Sequence, residues 1–327
     1  MTGSDFPANP SVQPASSPEG GSIFLTVEAD PFINLATYQN GVPVLKSVGV
    51  ENRGGIELRS LTVRIEADPS FADVLELRIA SLSPGSHHNW ETPPLRLRPA
   101  YLATLRERET GSLRATVELA GAVVADQRFE IAMLACDQWA GLRSLPELLC
   151  AFVLPNHPAV AHYLRESAAL LETWTQSPSL SAYQTGGRGR VAQTTAAVFH
   201  AIQASGITYV VPPASFEHEG QKIRTPDRIA EEKLATCLDV AVLAAACLEQ
   251  AGLNPLLVIV SGHAFAGIWL DDTSFPEPAL DDAAVLTKRA ELGELLVEPL
   301  ARSTITVCAQ AAAASERGSG GAAAQWR

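Results

Sequence analysis

The pattern of hydrophobic and polar positions divides the chain into four stretches. Residues 1–22 are rich in Pro, Ser, Gly and Asn and hold few apolar side chains, so burial cannot repay the entropy of ordering them. From residue 23, short alternating or apolar runs are separated by turn signals such as Asn40-Gly41, and from about residue 139 apolar residues recur at helical spacing. The pattern predicts a disordered tail over 1–22, a β domain over 23–135, an α+β domain over 136–305 and a second disordered tail over 306–327.

Six runs within residues 23–135 carry the strand pattern. They are IFLTVEA, VPVLKSVGVEN, LRSLTVRIEAD, VLELRIASL, LRATVELAG and VVADQRFEIAML. Short strands at this density, without helical periodicity between most of them, are typical of a β-sandwich of the immunoglobulin-like kind. The cysteine and tryptophan spacing of true immunoglobulin domains is absent, so the prediction concerns architecture alone.

Residues 136–305 combine helices with later strands. Apolar spacing and Pro or Gly boundaries predict helices over 145–152, 159–173, 191–204, 237–251 and from Thr225-Pro226 toward Lys233. Three strands are predicted in the runs LNPLLVIVSG, HAFAGIWLDD and LGELLVEPL. The order is therefore helices, a helix with a cysteine at its start, and strands that carry a histidine and then a glutamate.

Composition and charge exclude several classes of protein. Hydrophobic residues make up 46% and charged residues 18%, which indicates a globular protein. The net charge of −12 and the absence of a Lys/Arg cluster argue against nucleic acid as a direct partner. No apolar run approaches the about 18 residues of a membrane span and no signal peptide is seen, so the prediction is a cytoplasmic protein without a membrane partner.

The chain has five cysteines and no C-x-x-C pair or metal-ligand spacing. This argues against a disulfide framework or a zinc site, and it predicts reduced thiols with no metal and no cofactor. A reduced thiol can act as a nucleophile.

Cys237 is the candidate nucleophile. Thr236 is predicted as the N-cap of the helix that follows, so Cys237 lies in its first turn, where unpaired N–H groups and the helix dipole stabilise a thiolate. The same N–H groups can face the oxyanion of an acyl-transfer intermediate. In the alternative interpretation the cysteine is a small core residue, as is assumed for Cys150 and Cys247. Asp239 is interpreted as a surface charge that favours the helix dipole.

His263 is the candidate base, because it joins two predicted core strands. A thiolate needs a base within hydrogen-bond reach, and the base needs a third group to hold its tautomer. Glu298, inside the apolar run of the next strand, is the candidate for that group, since a buried carboxylate requires a partner. Asp271 and Asp272 are alternatives that look solvated. A histidine beside glycine can also be a turn or packing residue.

Four motifs carry a resemblance to a known family. They are GQKIRTP at 220–226, TCLD at 236–239, EQAGLNP at 249–255 and GHAFAGIWL at 262–270. With LCAFVLPN at 149–156 and the upstream sandwich, they resemble the transglutaminase-like region near the N-terminus of large bacterial helicase and nuclease proteins, which are suspected of roles in anti-phage defence. The resemblance covers about residues 23–302.

The resemblance implies a fold and a set of roles. The fold would be a transglutaminase-like, papain-like α+β domain, with Cys237 as nucleophile, His263 as base and Glu298 as orienting acid. Gln221 and Thr236 would be oxyanion or substrate-binding residues, although the neighbours of Gln221, Lys222 and Arg224, could equally anchor the turn. The chain departs from the family at Ala235, where glycine is expected, and in lacking the helicase segments and any phosphate-binding loop.

Two functions follow as hypotheses. The first is a thiol-dependent amide or peptide hydrolase or acyltransferase with a Cys-His-acid mechanism, which acts on a protein or peptide. The second is a catalytically inactive binding or adaptor module of a helicase-associated system, in which the sandwich recognises a protein partner. A helicase or nuclease encoded separately or downstream would be a partner in either case. The convergence of Cys237 with His263 and Glu298 in a shared cleft would favour the first hypothesis.

Overall fold

A computed structural model describes residues 22–296 and the backbone of residues 305–309. The chain divides into two compact units, Met1–Gln138 and Trp139–Arg327. The predicted boundary between residues 135 and 136 lies close to this division. The predicted tail over 1–22 lies, except for its last residue, outside the described residues.

Unit 1 is a β-rich unit with two sheets. Its strands are β1 (Ile23–Ala29), β2 (Phe32–Ile33), β3 (Leu45–Asn52), β4 (Leu58–Asp68), β5 (Leu75–Leu82), β6 (His87–Glu91), β7 (Glu109–Leu119) and β8 (Ala122–Met133), with short helices α1 (Leu35–Gln39) and α2 (Pro99–Thr104). One sheet has the order β1-β3-β6 and the other β2-β8-β7-β4-β5. Strands therefore form where each of the six sequence runs predicts one.

Alternating side chains explain how the two sheets of unit 1 share one core. In β8 every second residue from Ala125 to Met133 is buried, which matches the period-two pattern of a strand with one face inward. Leu25 and Val50 of the first sheet and Val63 and Leu113 of the second belong to the same hydrophobic cluster. Strand β6 has no signal in the sequence, because its polar residues HHNWE are mostly exposed at the sheet edge and only backbone pairing with β3 defines the strand.

Unit 2 combines helices with an antiparallel sheet. Its elements are β9 (Gln138–Trp139), a 3₁₀ helix (Pro146–Phe152), α3 (Val160–Thr175), α4 (Gly187–Ala204), β10 (Thr208–Tyr209), α5 (Phe216–Glu219), β11 (Gln221–Lys222), α6 (Pro226–Glu232), β12 (Leu234–Ala235), α7 (Cys237–Gln250), β13 (Pro255–Val260), β14 (His263–Trp269), β15 (Ala279–Leu280), α8 (Ala283–Glu291), β16 (Leu295–Leu296) and β17 (Ile305–Ala309). The five-stranded sheet has the order β15-β17-β13-β14-β16. The five predicted helices form where the sequence predicts them, the first as a 3₁₀ helix, and so do strands β13 and β14.

Helix α7 is the centre of unit 2. It is buried from residue 241 to residue 248, and its small side chains Ala244, Ala245 and Ala246 allow neighbouring elements to approach closely. It contacts α3, α4 and the strands β13 and β14. The face of the sheet toward α7 is formed by residues such as Leu257 and Ile268, while a second, smaller cluster covers the opposite face.

Strand β17 corrects the predicted C-terminal boundary. The segment 306–327 was predicted as a tail, but its first residues form the strand Ile305–Ala309, which pairs with β13 and β15. The run ITVCA forms a strand because it holds β-branched residues, which favour strands. The prediction missed it because the run is short and precedes an Ala-rich stretch. Within the described residues, no helix is both long and apolar enough to cross a membrane.

Candidate active site

The start of α7 is fixed by a capping box. Thr236 is the N-cap, and its Oγ1 accepts a hydrogen bond from the Asp239 N–H at 3.2 Å. In return the Thr236 N–H donates to Asp239 Oδ2 at 2.9 Å. Cys237 is therefore the first residue of the helix, as the sequence predicts, and it lies at the positive end of the helix dipole.

Asp239 is an interior residue rather than the predicted surface charge. Its side chain is 0% exposed and accepts hydrogen bonds from the Arg224 backbone N–H at 2.8 Å and from Arg224 Nη1 at 2.9 Å. Arg224 also pairs with Glu232 at 3.0 Å. The expectation was wrong because the partner, Arg224, lies 15 residues earlier and helix position alone gives no sign of it. Arg224 thus anchors its turn to the start of α7.

The Cys237 thiol lies at a junction of three elements. The backbone of Ala264 at the start of β14, the Tyr209 hydroxyl of β10 and the backbone of Cys237 and Leu238 lie near enough to the sulfur to lower the pKa of the thiol through hydrogen bonding. Cys237 is only 4% exposed. Burial raises the pKa of the thiol above its ordinary value, while these four donors act in the opposite direction.

His263 is the first residue of β14, immediately before the residue whose N–H reaches the sulfur. The two-residue turn Ser261-Gly262 precedes it, and Gly262 has a φ of +73°, which favours glycine. The structure thus brings the start of β14 next to the start of α7. Strand alternation gives Ala264 to the face of α7 and places His263 on the face of Phe265, with ring centroids 6.1 Å apart.

The candidate acids differ in what the structure describes. Glu298 lies outside the described residues. Asp271 accepts a hydrogen bond from Arg188 Nε at 2.9 Å, and Asp272 accepts one from Asn254 Nδ2 at 3.0 Å. Both aspartates are exposed, as predicted, and each accepts a hydrogen bond from a side chain of another segment of unit 2.

The two predicted oxyanion residues contact each other beside Cys237. Gln221 Nε2 donates to Thr236 Oγ1 at 2.9 Å, and both side chains are buried. The Thr236 hydroxyl therefore serves the helix cap and the Gln221 amide. Gln221 Oε1 is buried and has no hydrogen-bond partner among the described residues. The backbone groups of Ala264, Leu238 and Cys237 act on the sulfur itself and lower the pKa of its thiol.

Two glycines hold the Gln221 segment against the start of unit 2. Gly220 has a φ of +77°, and a Cβ there would lie 2.0 Å from the Trp139 carbonyl oxygen. Gly141 has a φ of +87°, and a Cβ there would lie 2.3 Å from the His218 oxygen. Only glycine fits this close backbone approach. The approach fixes the position of β11 and therefore of Gln221.

Tyr209 is a residue of this junction that the sequence analysis did not identify. The segment ITYVVPP was interpreted only as a short strand or extended link, and nothing in its spacing distinguishes the tyrosine. Parallel pairing of Tyr209 with Ala235, two residues before Cys237, carries its hydroxyl to the sulfur. Burial and the neighbouring sulfur raise the pKa of the Tyr209 phenol.

The other described cysteines have different surroundings. Burial raises the pKa of both Cys150 and Cys247 to about 12, so these thiols are unreactive near neutral pH, in agreement with their assignment to the core. All four cysteines with described side chains are free thiols. Over the same residues, no group of three or more His, Cys, Asp or Glu side chains could hold a metal ion.

Comparisons with known proteins add little. No protein-family model and no curated protein matches the chain. Among solved structures, the chain is similar to native alpha-2-macroglobulin from Escherichia coli, from domain MG7 to the C-terminus, with 14% identity and a TM-score of 0.24 over 70% of this chain and 33% of that chain. It therefore spans about a third of that relative's length.

Two further solved structures are similarly distant. The native conformation of Escherichia coli alpha-2-macroglobulin, seen by cryo-EM, matches with 14% identity and a TM-score of 0.23 over 69% of this chain and 13% of that chain. A family 76 glycoside hydrolase from a bovine Bacteroides thetaiotaomicron strain matches with 11% identity and a TM-score of 0.15 over 72% of this chain and 53% of that chain. Similarities this low carry no argument about fold or function.

Proposed function

We propose that unit 2 is a transglutaminase-like domain that acts as a thiol-dependent amide or peptide hydrolase or acyltransferase, and that unit 1 is an immunoglobulin-like sandwich. The element order supports this proposal: a buried helix begins with a cysteine, and the next strand but one begins with a histidine. In unit 1, two sheets around one core support the sandwich. A protein or peptide partner, a helicase or nuclease encoded separately or downstream, and a role in bacterial defence rest on the resemblance alone.

One observation carries the proposal. The Cys237 sulfur lies at the first residue of α7 and also has a hydrogen bond with the Ala264 N–H, next to His263. A core cysteine packed only among aliphatic side chains has no such set of donors, as Cys247 illustrates: burial is the one cause of its raised pKa. Groups that lower the pKa of a thiol are what a thiolate needs, and at Cys237 they oppose the larger effect of burial, which raises that pKa.

The proposed reaction has two halves. The His263 ring turns from the Phe265 face toward the start of α7 and takes the proton of the Cys237 thiol. The sulfur then forms a bond to the carbonyl carbon of an amide, and the oxyanion that results accepts hydrogen bonds from the N–H groups at the start of α7. The carbon–nitrogen bond then breaks, and the leaving amine takes the proton from His263. Water or a second amine attacks the thioester, gives a proton to His263, and releases the thiol with that proton. Glu298 would orient His263 throughout.

A second candidate function is a binding module without catalysis. Burial of the Cys237 side chain and its raised pKa favour this alternative, because a thiol in such a setting is a poor nucleophile unless a base removes its proton. In that case the sandwich of unit 1 would recognise the protein partner. The net charge of −12 makes a nucleic-acid partner unfavourable in both cases.

Alkylation of Cys237 by iodoacetamide across pH, followed by intact mass and peptide mapping, separates the two functions. Burial alone predicts a thiol that reacts only above its ordinary pKa of about 8.5. We expect labelling near pH 6–7 in the wild type, at least tenfold slower in His263→Ala and slower in Glu298→Ala. His87→Ala, in unit 1, is the matched control. Labelling that is confined to alkaline pH and unchanged in His263→Ala would support the binding module instead.

A further inference from the structure

An exposed apolar surface lies beside the Cys237 thiol. Tyr209 is 56% exposed and Val211 is 79% exposed, although both are large apolar side chains. Residues two apart along an extended segment share one face, and Val211 is held extended because Pro212 follows it. The Tyr209 hydroxyl acts on the Cys237 sulfur, and alternation gives Val211 to the same face of the segment as Tyr209. Isolated exposed apolar residues are common, but Tyr209 adjoins the nucleophile of the proposed reaction.

The opposite face of this small sheet provides an internal comparison. Leu234 of β12 is 37% exposed and pairs with Thr208, so it lies on the face away from Tyr209. Ala235 pairs with Tyr209 and is fully buried on the face toward the thiol. Tyr209 and Leu234 are thus both exposed apolar residues of this sheet, but only Tyr209 lies on the face toward the thiol.

The outer edge of β10 has backbone groups that can bind an extended chain. The Thr208 N–H donates to the Lys233 oxygen and the Val210 N–H to the Ala235 oxygen, both toward β12. By alternation, the N–H and C=O groups of Tyr209 face the other edge, and in the part of the chain that the structure describes this sheet has two strands only. An added strand would form a pair of hydrogen bonds there, next to the sulfur.

The Tyr209 phenol also controls access to the sulfur. It has a hydrogen bond with the thiol while Cys237 is 4% exposed, so an acyl group reaches the sulfur only when the phenol moves aside. A ligand that packs against the phenol and Val211 can hold the phenol in its displaced position.

Resting on the function proposed above, we infer that the acyl donor is an extended peptide segment with an apolar side chain, that it binds along β10 against Tyr209 and Val211, and that Tyr209 determines this specificity. A donor with a charged side chain would have to desolvate that charge against the apolar face without a partner. The amide to be cleaved would then follow the apolar residue and lie over the start of α7.

Binding of two labelled peptides to the full chain tests the inference without requiring turnover. Acetyl-Gly-Leu-Ala-Gly-amide and its counterpart with Asp in place of Leu are measured by fluorescence anisotropy with Cys237→Ala, and by protection of wild-type Cys237 from iodoacetamide. We expect the Leu peptide to bind at least tenfold more tightly and to slow alkylation. Val211→Ser should weaken binding of the Leu peptide about tenfold, because the burial of one apolar side chain is lost.

Matched controls separate this surface from general apolar adhesion. Leu234→Ser, on the other face of the same sheet, and Val123→Ser, an exposed valine of unit 1, should leave the affinity within twofold of the parent. Equal affinity for the two peptides, or equal loss with Leu234→Ser and Val211→Ser, would overturn the inference. Because His263→Ala tests thiol activation alone, selective peptide binding with an inactive thiol would refute the proposed reaction but not the apolar peptide surface.

Discussion

Replacing Asp239 with alanine tests how the start of α7 is held. The carboxylate accepts hydrogen bonds from the Thr236 N–H, the Arg224 N–H and Arg224 Nη1, at 2.9, 2.8 and 2.9 Å, and it is inaccessible to water. In Asp239→Ala, the capping box loses its reciprocal acceptor and two backbone N–H groups lose their partner. The Arg224 guanidinium keeps Glu232 as a partner and keeps contact with solvent, so its charge is not stranded.

These losses set the expected magnitude. The Thr236 cap itself is kept, and each buried donor left without a partner costs about 1–3 kcal/mol. Removing one partner of a buried ion pair costs about 3–5 kcal/mol, and the remaining pairing of Arg224 places this case at the lower end. We therefore expect Asp239→Ala to lower the free energy of unfolding of unit 2 by about 3 kcal/mol. With a urea m-value of about 2 kcal/mol/M, the midpoint falls by about 1.5 M.

Urea unfolding followed by circular dichroism at 222 nm is the appropriate assay, because the longer helices, α3, α4 and α7, belong to unit 2. Asp271→Ala is the matched control: its carboxylate pairs with Arg188 in unit 2, with both side chains about half exposed, so the loss should be about 0–1 kcal/mol. If the two aspartate variants unfold within about 0.5 kcal/mol of each other, the interior role assigned to Asp239 is wrong.

Three further perturbations give distinct outcomes. Gly220→Ala should destabilise unit 2 by more than about 3 kcal/mol because its Cβ would overlap a carbonyl oxygen, whereas Gly206→Ala, with a similar positive φ and open space, should cost about 1 kcal/mol in the same urea assay. Tyr209→Phe should move the midpoint of Cys237 alkylation to higher pH, since the phenol hydrogen bond lowers the pKa of the thiol; an unchanged midpoint would contradict that contact. Burial raises the pKa of Glu249 above its usual 4.5, so the folded state disfavours the carboxylate and stability falls as pH rises above the unfolded value; Glu249→Gln should flatten this slope in thermal unfolding between pH 4 and 7.

Local patterns were sufficient to predict the start of α7. Thr236 followed by a helix rich in apolar residues identified the N-cap and placed Cys237 in the first turn, because capping depends on residues within one helical turn. The two strands on either side of Gly262 followed from their apolar runs for the same reason.

Contacts between distant segments were beyond what the sequence could indicate. The burial of Asp239 depends on Arg224, and the contact of Tyr209 with the sulfur depends on the pairing of β10 with β12. Neither pairing leaves a period or a motif in the sequence, since parallel two-residue strands have no alternation to detect. Strand β17 was missed because five residues before an Ala-rich stretch give too short a pattern.

Because two helices and a sheet cover α7, its interior and the small strand β10 should exchange their amide hydrogens on different time scales. Amide hydrogens in the interior of α7 should exchange with solvent only when unit 2 unfolds as a whole, because no local opening can expose a helix that other elements cover. Thr208 and Tyr209 of β10 are exposed and paired on one edge only, so their amides should exchange through brief local openings. In the proposed reaction Cys237 would then stay fixed in position. Local opening of the β10-β12 sheet would set the rate at which a reagent reaches its sulfur.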